Sequence, residues 1–296
     1  MFAEVTDHEF ALCLTHDVDR PYKTYQSIYD VVRERSVDHL TTALSGANPY
    51  WQFDAVASLE RELGVRSAFY MLNEPHLLSR HPRTWLRPVN WIEHLGRYDV
   101  GSADVADAIR SLHEGGWEIG LHGSRHAARD RERLAVEKRT LERVLGAPIA
   151  GGRQHHLELS TPETWQHYRA IGLRYDTSLG SSTEYGFEHG YHPQFPLDDV
   201  FAVFPLTVME IALSSPDSSF DTAWAECESL LREAAENGAV MTALWHPRYF
   251  NTHEFPGYRR LYRRLVERAL EMDAWVGPPG EFYERWIADD ERRIRR

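Results

Sequence analysis

The amino-acid sequence predicts an α/β fold, in which parallel strands form a closed barrel and helices cover its outside. Apolar segments typical of buried strands alternate with amphipathic helical segments roughly seven or eight times, as in parallel sheets. Residues able to do chemistry recur where the strand segments end: Asp17, Asp19, His122, Arg153, Asp176 and His246. The carboxyl ends of barrel strands share one rim, where active sites lie. We therefore expect a single barrel domain over residues 1–296, since barrels of this length fold as one unit.

Strand and helix segments follow one another in order along the chain. Short apolar runs bounded by polar or turn-forming residues predict strands, at 10–15, 66–72, 117–121, 149–153, 173–178, 200–213 and 239–245. Apolar residues three and four positions apart, with a capping residue such as Ser102 before them and a glycine after them, predict helices. These helices are expected at 53–63, 102–114, 130–145, 161–171, 220–237 and 258–272, and a last unit begins at Trp275.

Two long segments between these elements are predicted to be irregular insertions. Residues 73–100 contain several prolines, histidines and tryptophans without a clear period, and residues 180–199 are rich in glycine, serine, histidine and aromatic residues. Long loops of this kind tend to be functional. Because barrel enzymes vary their loops and keep their strands, we expect both segments to set substrate specificity.

Composition and charge exclude several classes of function. The net charge of −12 and the pI near 5.7 provide no electrostatic footprint for nucleic acid or an anionic membrane. Cys13 and Cys227 form no disulfide framework and are predicted to be buried thiols. The first residues lack the pattern of a signal peptide, and no stretch of about eighteen apolar residues occurs. We therefore expect a cytoplasmic chain without a membrane span.

The clearest chemical pattern is a pair of histidines, His122 and His126, four residues apart at the end of an apolar run. Four residues make about one helical turn, so both rings can face one ion. Asp17 and Asp19 follow an earlier apolar run, and two imidazoles with two carboxylates are typical of a catalytic metal site with an open position. Alternatives stay open, because Asp17 could cap a helix and Arg153 could pair with a surface carboxylate.

Taken together, these residues resemble the motifs of the polysaccharide deacetylase family, also called the NodB-homology or carbohydrate esterase 4 superfamily. The five matching segments occur in the family's order, at 15–19, 122–126, 153–157, 175–178 and 244–247. The first reads Thr-His-Asp-Val-Asp, as in one branch of the family. The second keeps the His-x-x-x-His spacing with glycine in the usual hydroxyl position, and the third keeps only its arginine.

The resemblance implies a distorted (β/α)7 barrel and a metal-dependent hydrolase that acts on carbon–nitrogen bonds other than peptide bonds. Such an enzyme removes N-acetyl groups from the sugars of a polysaccharide or its precursor, by attack of a metal-bound water. It also implies the following roles: Asp19, His122 and His126 bind the metal, Asp17 is the general base, His246 is the general acid, Arg153 orients Asp17 and Asp176 orients His246. The expected ion is Zn²⁺, with Co²⁺, Ni²⁺ or Fe²⁺ as alternatives.

The expected partner is a carbohydrate, with His155, Trp245 and Tyr175 as candidate substrate-binding residues. Aromatic rings stack on sugars, although core packing is an alternative role for Trp245. Two other functions fit the same motifs. One is hydrolysis of a small cyclic amide, as in the allantoinase-like branch, and the other is carbohydrate binding by a member that has lost turnover. The departures at Gly123 and at His155-His156 are the reason for keeping the second alternative.

Overall fold

Nine strands form one curled parallel sheet in the computed structural model of the chain, which describes residues 8–23, 48–74, 86, 97–125 and 127–287. The strands are β1 (Phe10–Val18), β2 (Ala68–Leu72), β3 (Glu118–Gly123), β4 (Gly151–Gln154), β5 (Tyr175–Asp176), β6 (Ala202–Val203), β7 (Val208–Met209), β8 (Val240–Leu244) and β9 (Ala274–Gly277). Eight of them follow the order β6-β5-β4-β3-β2-β1-β8-β7, and β9 pairs with β1. The predicted distorted α/β barrel is thereby confirmed.

Strand β1 is the centre of this sheet, and each of its nine residues is buried. It pairs with β8 on one side, and with β9 and then β2 on the other. The apolar run predicted an end at Thr15, but pairing of Thr15 with Ala68 and of Val18 with Met71 carries the strand three residues further. Asp17 therefore lies within the strand, and Asp19 follows its last residue.

The chain crosses from one side of the barrel to the other between β6 and β7. The predicted extended segment at 200–213 is divided there by Pro205, which has no backbone N–H to donate to a ladder. Leu206 N donates to Leu179 O beyond β5, and Thr207 N donates to Thr242 O on β8. These two bonds join opposite sides of the sheet, so the barrel is closed by a short irregular connection.

Helices connect the strands as predicted: α1 (Phe53–Glu62), α2 (Ala103–Glu114), α3 (Arg131–Leu145), α4 (Glu163–Ala170), α5 (Phe220–Glu236), α6 (Tyr258–Glu271) and the short α7 (Pro279–Phe282). Local capping sets their ends. The side chain of Asp130 accepts from Arg133 N at the start of α3, and Gly146 ends that helix with φ at 78°. Within the described residues, no helix is both long and apolar enough to cross a membrane.

The two predicted insertions differ in how much the structure describes. Most of residues 73–100 lies outside the described residues. Residues 180–199 form an irregular loop whose one bridge pairs Gln194 with Val203. Both cysteines are buried free thiols, in agreement with the sequence.

Candidate active site

Asp17 is fixed by a fully buried arginine on another strand. Arg153, on β4, donates from Nη1 to Asp17 Oδ1 at 2.9 Å and to Thr15 Oγ1 at 2.9 Å. Its Nε donates to the backbone oxygen of Thr177 at 2.9 Å. A charge-assisted bond from a guanidinium held at two further points fixes the orientation of the carboxylate. The geometry is therefore that expected if Arg153 orients Asp17.

Asp19 is surrounded by imidazoles. Its Oδ1 is 3.0 Å from His122 Nε2 and 3.6 Å from His155 Nε2, and its Oδ2 is 3.3 Å from His246 Nε2. Burial by itself would raise the pKa of Asp19, but the three histidines outweigh it and hold that pKa well below its ordinary value. Asp19 is therefore a carboxylate at neutral pH and the common neighbour of three nitrogen donors.

His122 presents one particular nitrogen to this cluster. Its buried ring donates from Nδ1 to the backbone oxygen of Arg153 at 3.0 Å, which leaves Nε2 facing Asp19 Oδ1. Burial by itself would lower the pKa of His122, but Asp17 and Asp19 outweigh it and raise that pKa. A neutral Nε2 and a carboxylate oxygen both carry lone pairs, so a proton or a cation must lie between them.

His155 belongs to the same cluster. It follows β4 in a tight turn in which His156 and Leu157 have φ angles of 59° and 55°. Its ring stacks on His156 with centroids 4.0 Å apart, and its Nδ1 is buried without a hydrogen-bond partner within the described ranges. Burial lowers the pKa of His155 to about 3, so the ring is neutral and keeps a free lone pair.

The donor set fits a divalent metal ion. Ligand atoms of Asp19, His122 and His155 all lie within 4.8 Å of one another. Bonds of about 2.1 Å at tetrahedral angles place neighbouring ligand atoms about 3.4 Å apart, and the two nitrogens lie 3.0 and 3.6 Å from Asp19 Oδ1. Asp19 and His122 are thus brought together as predicted. His126 lies outside the described residues, and His155, predicted to bind substrate, takes a place suited to a third ligand.

His246 faces Asp19 from the opposite side and is held by a carboxylate that the sequence analysis did not select. Glu210, fully buried after β7, accepts from His246 Nδ1 at 2.7 Å. Burial by itself would lower the pKa of His246, but Glu210 and Asp19 outweigh it and raise that pKa to about 10. His246 is therefore an imidazolium at neutral pH. The sequence did contain a signal, because Glu210 is the one charged residue within the predicted strand segment 200–213.

Asp176 does not have the neighbour that was predicted for it. Its carboxylate accepts from Ser178 Oγ at 2.5 Å, from Ser178 N at 3.0 Å and from Trp165 Nε1 at 3.1 Å. These bonds anchor the chain after β5. The expectation that Asp176 orients His246 is corrected, because Glu210 occupies that position.

Two predicted substrate-binding residues are also placed elsewhere. Trp245 is fully buried and packs against Tyr262 with ring centroids 5.5 Å apart. Tyr175 is fully buried, and its hydroxyl donates to Glu118 Oε1 at 2.6 Å. Neither ring reaches the cleft around Asp19 and His246, so stacking on a sugar is excluded in this conformation.

A cleft of about 430 Å³ opens onto the cluster. Its lining includes Asp17, Asp19, His122, His155 and His246. One concave site is therefore lined by four side chains from the ends of strands and by His155 from the turn after β4. Its volume is within the range of small-molecule sites, about 300–1,000 Å³.

Gly123, the departure in the second motif, has a steric reason. A Cβ at this position would lie 2.5 Å from Nε2 of Gln154, a buried side chain on β4. The hydroxyl comes from the next residue instead, since both Oγ and N of Ser124 donate to the carboxylate of Glu137 on α3. The loop after β3 is therefore braced without a hydroxyl at residue 123.

His16 belongs to a buried hydrogen-bond network beneath the site. Its Nδ1 donates to the backbone oxygen of Trp245 at 2.5 Å, and its Nε2 lies 2.9 Å from Glu60 Oε1. Three further groups donate to the same carboxylate: Ser67 Oγ, Trp117 Nε1 and Tyr262 OH. His16 thus ties β1 to the end of β8, directly before His246. Sequence reasoning did not assign this role.

Solved structures of other proteins have a similar fold. No protein-family model and no curated protein sequence matches the chain. A protein assigned as a polysaccharide deacetylase from Mycobacterium smegmatis superposes with a TM-score of 0.64 at 18% identity, over 96% of this chain and 92% of the other. The Puue allantoinase gives a TM-score of 0.59 at 15% identity, over 95% and 91%. A protein assigned as a polysaccharide deacetylase from Pseudomonas aeruginosa PAO1 gives 0.59 at 13% identity, over 95% and 91%. The resemblance seen in the motifs is therefore confirmed at the level of the fold.

Proposed function

We propose that this chain, which has the fold of the polysaccharide deacetylases, is a metal-dependent hydrolase that removes N-acetyl groups from N-acetylated sugars of a polysaccharide or its precursor. One observation carries the proposal. A single cleft is lined by Asp17, by the three proposed metal ligands and by the imidazolium of His246. The three proposed ligands are Asp19, His122 and His155. Amide hydrolysis needs a base, a stabilised oxyanion and an acid for the leaving amine. The cleft offers a group for each.

Asp19, His122 and His155 would hold the ion, and His126 is proposed as a further ligand from its motif. Zn²⁺ suits two imidazoles and a carboxylate, with Co²⁺, Ni²⁺ or Fe²⁺ as alternatives. A divalent ion held there would supply an activated water and would polarise the amide carbonyl. The hydrogen bond from His122 Nδ1 to Arg153 O keeps the ligating nitrogen aimed at the ion.

The two proton transfers are assigned to Asp17 and His246, which lie next to the proposed metal ligands. Asp17, which Arg153 orients, accepts the proton of the attacking water. Its Oδ2 lies 3.7 Å from His122 Nε2, the nitrogen proposed to bind the ion, so this carboxylate is next to the proposed ion site. His246, protonated at neutral pH and held by Glu210, donates a proton to the departing amine. The proposed base, Asp17, is thus held by the guanidinium of Arg153, and the proposed acid, His246, is held by the carboxylate of Glu210.

A second candidate is hydrolysis of a small cyclic amide, supported by the shared fold of the Puue allantoinase. Its chemistry needs the same base, ion and acid, so the substrate distinguishes the two. Loss of turnover, with carbohydrate binding retained, is the third possibility that the experiment must separate.

The experiment is turnover by the purified, Zn²⁺-loaded chain on oligomers of N-acetylglucosamine and on allantoin. Acetate release should occur with the oligomers. Asp17→Asn should slow it about 100-fold or more while zinc content is kept, as for a lost general base. Asp107→Asn, an exposed carboxylate on α2, is the matched control and should have parental activity. Turnover of allantoin alone would favour the second candidate, and absence of turnover on both of these and on the acidic N-acetylated sugars named in the next subsection would refute the hydrolase.

A further inference from the structure

The cleft is lined by an unusual number of arginines for so acidic a chain. Arg20, Arg97, Arg125 and Arg248 all contribute to its wall, although the whole chain carries a net charge of −12. A concave site lined by one sign of charge concentrates ligands of the other sign.

Three of these guanidinium groups have no carboxylate partner among the residues that the structure describes. Arg20 makes no ion pair there, and Arg97 donates from Nε to the backbone oxygen of Glu74. Arg248 lies over the ring of Tyr249, 5.1 Å from its centroid. The charges of Asp19 and Glu210 act on Arg248, but none of the three guanidinium groups forms an ion pair with a described carboxylate, so each can still bind a ligand.

The three carboxylates that line the cleft already have other partners, and the third of them, Glu74, is not free. Asp17 is bound by Arg153, and Asp19 lies among His122, His155 and His246. Balancing these acids therefore does not require the cleft arginines. The surplus positive charge increases further once the cluster holds a divalent cation.

Arg20 and Arg248 occupy the most informative positions. Arg20 directly follows Asp19, and Arg248 is two residues beyond His246. Both also line a narrow extension of the cleft together with Asp19 and His246. Two half-buried guanidinium groups thus flank the groups proposed to do the chemistry. The planar fork of arginine matches carboxylate and phosphate oxygens in a bidentate geometry.

We propose that Arg20 and Arg248 form an anion subsite, so that the substrate is an N-acetylated sugar bearing a carboxylate or a phosphate. This inference rests on the proposed function, which it narrows from N-acetylated sugars in general to acidic ones. The anionic group lies against the two arginines while the N-acetyl group lies towards Asp17 and His246. A neutral sugar leaves both guanidinium groups to water and gains nothing from them.

Calorimetric binding to the Zn²⁺-loaded chain tests the subsite with matched sugars. N-Acetylglucosamine is the neutral probe. Its C6 carboxylate analogue (2-acetamido-2-deoxyglucuronic acid), its 6-phosphate and its 1-phosphate are the acidic probes. At least one acidic probe should bind about tenfold or more tightly than the neutral sugar, as charge-assisted bonds are about twice as strong as neutral ones. That preference should weaken as salt rises. The probes that bind tightly identify carboxylate or phosphate as the group recognised.

Variants locate the subsite. Arg20→Gln and Arg248→Gln should each lower the affinity for the preferred acidic probe about tenfold and leave the affinity for the neutral sugar unchanged. Arg248→Lys keeps the charge but loses the bidentate fork, so it should keep part of the preference, with an affinity between those of the parent and of Arg248→Gln. Arg139→Gln removes the same charge from a separate surface hollow on α3 and should change nothing. Equal affinities for all four probes, or glutamine variants that bind as the parent does, would overturn the subsite.

The same probes separate failure of this inference from failure of the proposed function. Tight, arginine-dependent binding of an acidic sugar without acetate release would support the subsite and refute the hydrolase. Equal turnover of neutral and acidic sugars would support the hydrolase and refute the anion subsite. Preferential acetate release from the acidic sugar supports both.

Discussion

Replacement of Glu210 by glutamine removes the charge that holds His246 protonated while keeping a side chain of the same shape. Glu210 Oε1 accepts from His246 Nδ1 at 2.7 Å, and the carboxylate is fully buried. The amide oxygen of glutamine can still accept this bond, so the ring keeps its orientation and loses its charged partner. Hydrogen bonds to charged groups contribute about 1.5–3 kcal/mol. If that energy is expressed in the transition state, kcat should fall about 10- to 150-fold.

The assay for Glu210→Gln is acetate release at saturating substrate, together with metal content by elemental analysis. Zinc content should be unchanged, because Glu210 contacts His246 and is not among the clustered donor atoms. Glu226→Gln is the matched control, since Glu226 is a partly buried glutamate that accepts from Ser214, in contact with none of the cleft residues named above. A kcat within twofold of the parent would refute the role given to the Glu210–His246 pair. A loss of zinc would show instead that Glu210 supports the donor cluster.

Three further predictions test the ligand set, the buried network and the pH dependence of stability. His155→Ala should weaken zinc affinity at least about tenfold in a chelator competition, and unchanged affinity would exclude His155 as a ligand. Glu60→Gln removes the buried carboxylate that lies against His16 Nε2 and accepts from Ser67, Trp117 and Tyr262, so the free energy of unfolding in urea should fall by about 1–3 kcal/mol; a parental value would contradict a stabilising role for this network. Burial raises the pKa of Glu118 from 4.5 to about 7, so its protonated form stabilises the fold fully below pH 4.5, and this contribution is lost as the pH rises through 7. Over this window the free energy of unfolding of the parent should therefore fall by about 1–3 kcal/mol more than that of Glu118→Gln; equal slopes for both chains would contradict the assignment.

The sequence predicted the strands and the residues at their ends because each of these signals is local. His122 and His246 are preceded by apolar runs that the structure forms as β3 and β8. The helix caps at Asp130 and Gly146 are local in the same way. Strand lengths were less predictable, since β1 continues past Thr15 only because β2 pairs with it.

Pairings between side chains depend on strand order and register, which local patterns do not contain. Asp176 is the last residue of the short strand β5 and Glu210 directly follows the short strand β7, so the local sequence does not decide which of them is the partner of His246. Strand β7 pairs with β8 and sets Met209 opposite Leu244, which brings Glu210 close to His246. Strand β5 pairs with β4 and β6, and Asp176 lies opposite Gly152 and Val203. The order of the strands in the sheet thus decides which carboxylate holds the imidazolium.

The position of His155, the third proposed metal ligand, also depends on contacts between residues far apart in the sequence. His155 reaches Asp19 from a turn in which two consecutive residues, His156 and Leu157, have left-handed backbone. This conformation costs about 1–2 kcal/mol for each residue other than glycine, so something must hold it. Leu157 packs against a small apolar cluster that includes Met209 on β7 and Leu244 on β8. The same two strands that bring Glu210 to His246 therefore also hold the turn that brings His155 to Asp19, and both halves of the proposed site depend on the β7–β8 pairing.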